Sequence, residues 1–176
     1  MRIERDKAVV VAVDYQEKLM PVMSKKEALL EHSMILLKGV HMLEVPIIVT
    51  QQYTRGLGDT VKEIREVVES DEYVEKISFS AWEDIRELTK GKKFVILCGI
   101  ESHICVLQTL IDAKADGMIP VLVTDCISSR KETDKEYAIE RAKQEGAIVT
   151  TYEALLFELL KEAGTKESRK IQRLIK

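Results

Sequence analysis

Three side chains with complementary chemistry stand at or just beyond the ends of short apolar runs. Asp14 closes the first run, Lys76 closes the third, and Cys105 follows the fourth. If the runs are strands of an open α/β sheet, their carboxyl ends form the edge at which such sheets bind ligands. An acid, a base and a thiol at one edge are the groups needed for nucleophilic attack on a carbonyl carbon.

Each of the three residues also has an ordinary structural interpretation. A cysteine is commonly a small core side chain, an aspartate at a strand end often caps a turn, and Lys76 could be an edge residue. With Ser102 as a helix N-cap, Cys105 would occupy the third helical position, where amide dipoles and a nearby lysine stabilise a thiolate. Of the other two thiols, Cys98 is expected in the core, and Cys126 is the one that could compete with Cys105.

Apolar, β-branched runs alternate with stretches of helical periodicity along the whole chain. Such runs indicate strands that are buried on both faces. The alternation predicts right-handed βαβ crossovers and an α/β fold, a three-layer αβα sandwich around a mainly parallel, roughly six-stranded Rossmann-like sheet. The predicted strands are Ala8–Asp14, Pro46–Gln51, Tyr73–Lys76, Lys93–Gly99, Pro120–Asp125 and Ala147–Thr150.

Several helix boundaries can be placed from the sequence. Ser24–Glu27 and Ser80–Glu83 have the spacing of capping boxes, in which a hydroxyl accepts from an early amide and the glutamate reaches back. Glycines are predicted at helix ends that need a positive φ. These glycines are Gly91, Gly117 and Gly146. The tail Lys166–Lys176 predicts a basic amphipathic helix that packs on its own domain or on a neighbouring subunit.

Length and composition limit the classes of protein that fit. The chain has 176 residues, of which 45% are hydrophobic and 32% charged, with a net charge of −3. We expect a single domain over 1–176, with 165–176 as a C-terminal helical tail, and no nucleic-acid partner, because no broad positive field exists. No signal peptide or membrane span is predicted, and three cysteines without pairing favour reduced thiols in the cytoplasm. The apolar tail helix and a shallow one-domain cleft predict a homo-oligomer.

Motifs for phosphate-bearing cofactors and for metals are missing from the sequence. Neither G-x-G-x-x-G nor G-x-x-x-x-G-K-[ST] occurs. The three histidines, His32, His41 and His103, lack the spacing of metal ligands. We therefore expect no cofactor and no metal. His103 lies beside Cys105 in the sequence and is either a pocket wall or a solvent-facing helix residue.

Five segments give the chain a specific resemblance to a known superfamily. They are Val13–Gln16, Lys76–Trp82, Cys98–Val106, Val123–Arg130 and Gly146–Glu153. On these segments the chain resembles the isochorismatase-like hydrolases, a superfamily that includes nicotinamidases and other small amidases. The resemblance covers nearly all of the chain. Thr50–Gly58 and Ile171–Lys176 look most like the isochorismatase-domain-containing branch.

The resemblance implies a catalytic triad. Asp14 would take the thiol proton, Lys76 would hold Asp14 and favour the thiolate, and Cys105 would form a thioester. The oxyanion of that route needs amide donors, for which we expect the N–H groups of Glu101 and Cys105. The resemblance also implies a cis peptide bond between Ile100 and Glu101. The substrate pocket is expected among Gln16, Leu19, Tyr53, Phe79, Trp82 and His103.

Two departures from the superfamily pattern narrow the function. Nicotinamidases carry an Asp-x-His metal motif where this chain reads Gln51, Gln52, Tyr53, so neither the metal nor a nicotinamide substrate is carried over. Many members also have an aromatic residue where Leu19 stands. Because Cys105 is present, acyl chemistry on a small-molecule amide is favoured over vinyl-ether hydrolysis. The alternative is a redox-sensing or scaffold protein that uses a reactive thiol without turnover.

Overall fold

The computed structural model describes residues 1–176 and contains one six-stranded sheet. All neighbouring strands run parallel, in the order β3-β2-β1-β4-β5-β6. The strands are β1 Ala8–Val13, β2 Ile47–Gln52, β3 Val74–Lys76, β4 Phe94–Ile100, β5 Ile119–Ser128 and β6 Ile148–Thr150. The predicted α/β fold and its six-stranded parallel sheet are confirmed.

The chain forms eight α-helices, most of which pack on the two faces of the sheet. They are α1 Lys26–Met42, α2 Thr54–Leu57, α3 Lys62–Val68, α4 Trp82–Ile85, α5 Leu107–Ala115, α6 Glu132–Gln144, α7 Tyr152–Leu160 and α8 Lys166–Ile175. Apolar residues of α1, α3, α7 and α8 pack in one core cluster, and those of α4, α5 and α6 pack in the other. None of the helices combines the length and apolarity needed to cross a membrane.

The central strand β1 shows why its sequence is an unbroken apolar run. All six of its residues are buried. Val10 and Ala12 belong to one core cluster, while Val9, Val11 and Val13 belong to the other. Because successive side chains of a strand point to opposite faces, a strand covered on both faces needs apolar residues at every position.

The first predicted capping box is wrong. Helix α1 begins at Lys26, its cap residue Lys25 has a φ of 49°, and no side chain caps it. The Ser24 N–H instead donates to the carbonyl of Ser129 at 3.0 Å. The Ser24 carbonyl accepts from the Ser128 hydroxyl at 2.7 Å. Ser24 therefore bonds the end of β5 and does not form the cap of α1 that its local sequence pattern predicts.

The second predicted capping box is also wrong, because Ala81 is the cap residue of α4 and no side chain caps it. The Ser80 hydroxyl instead accepts from the Trp82 N–H at 3.3 Å. The other predicted helix features agree with the structure. The three glycines predicted at helix ends all have positive φ, between 79° and 85°. The tail helix α8 packs on its own domain, where Ile171 is fully buried in the core.

Candidate active site

Asp14 lies directly after β1, where the chain leaves the centre of the sheet. Its φ of 52° is in the left-handed region, and its side chain is fully buried. The Thr50 hydroxyl on the neighbouring strand β2 donates to Asp14 Oδ1 at 2.7 Å. One carboxylate oxygen is thereby fixed, and the other is left for further partners.

Lys76 ends β3, which lies two strands away from β1 in the sheet. Its Nζ is 2.8 Å from Asp14 Oδ2, and both side chains are fully buried. Nζ donates to Gln52 Oε1 at 2.7 Å and to the carbonyls of Phe79 at 3.0 Å and Ser78 at 3.2 Å. Asp14 Oδ2 therefore faces the ammonium group as its ion-pair partner, and no other group in the structure donates a hydrogen bond to it.

Cys105 completes the group from the other half of the sheet. It lies in a π-helical turn, Ser102–Val106, that joins β4 to α5, and the cap residue of this turn is Glu101. The prediction of Ser102 as an ordinary N-cap is therefore wrong, because the turn closes on the carbonyl of Glu101. Only 7% of Cys105 is exposed, and its Sγ is 3.6 Å from Gln52 Oε1. We call Glu101–Val106 the catalytic turn.

The acidity of the Cys105 thiol is opposite to the expectation from the helix dipole. Its pKa is raised to about 12, first by burial and next by the negative charge of Asp14, and the positive charge of Lys76 offsets part of this rise. Desolvation penalises the thiolate more than the lysine stabilises it. At neutral pH the resting residue is therefore a protonated thiol beside a carboxylate, and the nucleophile must be generated by proton transfer.

Gly99 permits the close approach of β4 and β1 that brings the turn to Asp14. Its φ is 117°, and a Cβ at this position would lie 2.0 Å from the carbonyl oxygen of Val13. Any other residue would push the two strands apart at the point where both deliver a functional side chain. Next along the chain, the peptide bond between Ile100 and Glu101 is cis. No turn or loop hydrogen bond uses the N–H group of Glu101.

A model of a known protein family matches most of the chain. The isochorismatase domain model matches residues 8–154. The chain belongs to the isochorismatase family. The matched region includes Asp14, Lys76 and Cys105, and it extends through all six strands. Membership of this family of isochorismatase-like hydrolases supports a hydrolase function.

Curated relatives carry the name of the family, and solved structures share the fold. Isochorismatase domain-containing protein 2A of Mus musculus is 33% identical over 99% of this chain and 85% of its own. The secreted isochorismatase effector Isc1 of Phytophthora sojae is 35% identical over 96% and 84%. The MAR1 ribonuclease of Caenorhabditis elegans, 33% identical, covers 99% of this chain and 92% of its own with a TM-score of 0.94. The YCAC gene product of Escherichia coli, an octameric hydrolase of unknown specificity, is 25% identical over 92% and 83% with a TM-score of 0.87.

Three of the expected pocket residues of this family member are used in packing. Gln16 is fully buried, and its side chain bonds the N–H and carbonyl of Gln52 at 2.7 and 3.0 Å. Leu19 packs against the core cluster on the α1 side. Trp82 is 4% exposed and donates its indole N–H to Asp116 at 2.6 Å. Gln16 thus positions the end of β2.

The other three expected pocket residues are more accessible. Tyr53 is 50% exposed and Phe79 is 55% exposed. Their backbones border Lys76, because the Tyr53 N–H donates to the Lys76 carbonyl at 2.9 Å and the Phe79 carbonyl accepts from the ammonium group. His103 is partly buried, with Nδ1 2.9 Å from the Ser129 hydroxyl. These side chains are available to contact a ligand.

The residues do not fit the metal that nicotinamidases hold. The Gln51 side chain accepts from Thr60 and donates to Thr54, and no group of three His, Cys, Asp or Glu side chains comes together anywhere. Gln52, by contrast, is a site residue that the sequence analysis did not assign. Its Oε1 lies between Lys76 Nζ and Cys105 Sγ. The only signal for it in the sequence is that β2, the strand beside β1, ends in two polar residues.

Proposed function

We propose that this protein is a cysteine-dependent hydrolase that cleaves a small amide or a related acyl substrate through a thioester on Cys105. The observation that carries the proposal is the buried Asp14 carboxylate, which Lys76 holds at 2.8 Å and whose Oδ2 has no other donor, in the same site as the Cys105 thiol. A carboxylate in this position has a chemical use, because it can accept the thiol proton as the sulfur attacks.

The acylation step follows from the three side chains. Asp14 Oδ2 takes the proton of Cys105 while Sγ forms a bond to the carbonyl carbon of the substrate. The tetrahedral intermediate collapses when its C–N bond breaks, and the amine leaves with the proton that Asp14 returns. Lys76 balances the charge of Asp14 at 2.8 Å and keeps the carboxylate in place.

Deacylation uses the same groups in reverse order. Asp14 takes a proton from water, the oxygen attacks the thioester carbon, and the C–S bond breaks. The acid product leaves, and the Cys105 sulfur recovers its proton from Asp14. In both steps the carbonyl oxygen becomes negative, and we assign the N–H groups of Glu101 and Cys105 as its donors.

A redox-sensing or scaffold role is supported less well. Oxidation by peroxides proceeds through the thiolate, so sensor cysteines combine a low pKa with exposure. Cys105 has a pKa raised to about 12. Asp14 adds to that shift, so its presence would work against a sensor. The same carboxylate is needed by a hydrolase.

The direct test is an activity screen over small amides, hydroxamates and ureides with the wild type and Cys105→Ala. Turnover by the wild type alone is expected, together with an acyl adduct on Cys105 in quenched samples. A short RNA is included because one structural relative is a ribonuclease. The net charge of −3 argues against RNA as a substrate here. Equal turnover by both proteins would contradict the proposal.

We propose further that the protein acts as a homo-oligomer in a reducing cytoplasm. The octameric relative from Escherichia coli supports an assembly, as do the exposed apolar side chains of Ile77 and Phe79 beside Lys76. All three cysteines are free and buried, which suits a reducing compartment, although one relative is a secreted effector. A mass of 20.1 kDa in light scattering would contradict the assembly.

A further inference from the structure

Two loops at the carboxyl edge of the sheet are tied together by side chains. Glu101 Oε2 accepts from both the backbone N–H and the Nε–H of Arg130, each at 3.1 Å. Two residues along the catalytic turn, His103 Nδ1 is 2.9 Å from the Ser129 hydroxyl. The loop that makes these contacts, Ser128–Arg130, is called the brace loop below.

The brace loop is itself held on its other side. Ser128 pairs with Ile100 at the end of the β4–β5 ladder. Its hydroxyl donates to the Ser24 carbonyl at 2.7 Å, and the Ser129 carbonyl accepts from the Ser24 N–H at 3.0 Å. The brace loop therefore connects the catalytic turn to the segment before α1, and it can hold the turn against a fixed part of the molecule.

Burial makes the Glu101–Arg130 pair unlike an ordinary surface ion pair. The Glu101 side chain is 9% exposed, whereas that of Arg130 is 60% exposed. Removing a carboxylate from water is costly, and such pairs contribute little net stability compared with apolar replacements. Net stability therefore does not account for the buried carboxylate, whereas its two bonds from Arg130 fix the position of Glu101.

That geometry acts on the residue that the mechanism uses. The Glu101 carbonyl accepts from the N–H groups of Ile104 and Val106, so it sets the start of the helix that carries Cys105. The Glu101 N–H is the second oxyanion donor of the proposed function. We propose that Glu101 and Arg130 form a positioning pair that aims this N–H at the oxyanion, an inference that rests on the proposed function.

The pair is expected to act on the oxyanion and not on the acidity of the thiol. The pKa of Cys105 is governed by burial, Asp14 and Lys76, and Arg130 is not among its causes. Two reactions of the same sulfur separate these effects. Acylation by 4-nitrophenyl acetate passes through a tetrahedral oxyanion, with 4-nitrophenolate as the leaving group. Alkylation by iodoacetamide displaces iodide at a saturated carbon and forms no such oxyanion.

The experiment measures both rates at Cys105 by mass spectrometry in the full-length wild type, Arg130→Met and Arg130→Lys. Lys131→Met is the matched control, because it removes the adjacent, exposed cation. Arg130→Met should slow acylation about 10- to 100-fold, since a misplacement of about 1 Å costs about that factor. Its alkylation rate should stay within twofold of the wild type, and Arg130→Lys should recover part of the acylation rate.

A variant that had loosened the fold would give a different pattern, because a more accessible thiol is alkylated faster. Glu101→Ala is measured alone and combined with Arg130→Met. The double variant should be no slower in acylation than the slower single variant, as expected of residues that act as one unit. Unchanged acylation in Arg130→Met, with an active wild type, would overturn the positioning pair alone. Failure of the wild type to be acylated at Cys105 would overturn the proposed function and this inference with it.

Discussion

Cys98 and Cys105 lie in the same segment of chain and show what separates an inert thiol from a nucleophile. Burial raises the pKa of both thiols to about 12. Cys98 is fully buried in β4, where the Val11 carbonyl and Tyr15 are among its polar neighbours. Cys105, seven residues later, has a carboxylate and an ammonium group acting on its sulfur. Acidity does not distinguish the two thiols, whereas a carboxylate base beside the sulfur does.

The largest expected difference between the two positions is in acyl transfer. Cys105→Ala should lower turnover by at least about 10³-fold, because the nucleophile is lost and the remaining groups act only as a unit. Cys98→Ala should keep wild-type turnover within about twofold, since the side chain lies in the core. Steady-state kinetics of both variants on one substrate measure this contrast. Comparable losses in the two variants would show that packing, not chemistry, explains the effect.

Substitution of Lys76 tests the ion pair that lies beside Cys105 and is missing beside Cys98. Lys76→Met leaves Asp14 buried without its ion-pair partner, which should cost about 3–5 kcal/mol in the free energy of unfolding. It should also lower turnover by about 10²-fold, because the carboxylate is no longer held in place. Chemical denaturation and kinetics give the two numbers.

A double variant provides the control for Lys76. Asp14→Asn with Lys76→Met replaces the buried pair by neutral side chains, so it should be more stable than Lys76→Met alone and should remain inactive. A double variant no more stable than Lys76→Met would contradict the buried ion pair.

The smallest effect concerns the stability of the protein in alkali. The ordinary pKa of a thiol is 9.0, whereas burial raises that of Cys98 to about 12, so the unfolded state loses its proton first. Stability that is present below pH 9 is therefore lost as the pH rises towards 12, by about 1.4 kcal/mol per pH unit for each such thiol. Cys98→Ala should reduce the slope by about this amount. Denaturant melts between pH 9 and 11 measure it, and parallel slopes in the two proteins would contradict the raised pKa.

Much of the fold can be predicted from the sequence, because a parallel sheet requires a recognisable pattern of apolar residues in its strands. Strands covered on both faces must be apolar throughout, and this alone locates β1 and β4 almost to the residue. The same topology places Asp14, Lys76 and Cys105 at one edge before any resemblance is considered. Positions at strand ends can therefore be predicted well for this class of fold.

Other features depend on contacts that no local pattern encodes. Ser24 has the spacing of a capping residue, yet its backbone bonds the loop after β5. The π-helical turn at Cys105 replaces the expected N-cap at Ser102. Trp82 belongs to a segment that resembles the family and was expected in the substrate pocket. Its side chain is instead buried and donates the indole N–H to Asp116. For Ser24 and Trp82 a tertiary partner distant in sequence decides the outcome.

Asp14→Asn tests the central claim most directly, because it separates thiol acidity from base catalysis. The substitution keeps an acceptor for the Thr50 hydroxyl but removes the negative charge that raises the pKa of Cys105. Alkylation of Cys105 by iodoacetamide at pH 10 should therefore become faster than in the wild type. Acylation by 4-nitrophenyl acetate at pH 7.5 should become about 10²- to 10⁴-fold slower, as expected for the loss of a general base. Acylation that is unchanged, or that rises together with alkylation, would show that Asp14 is not the base.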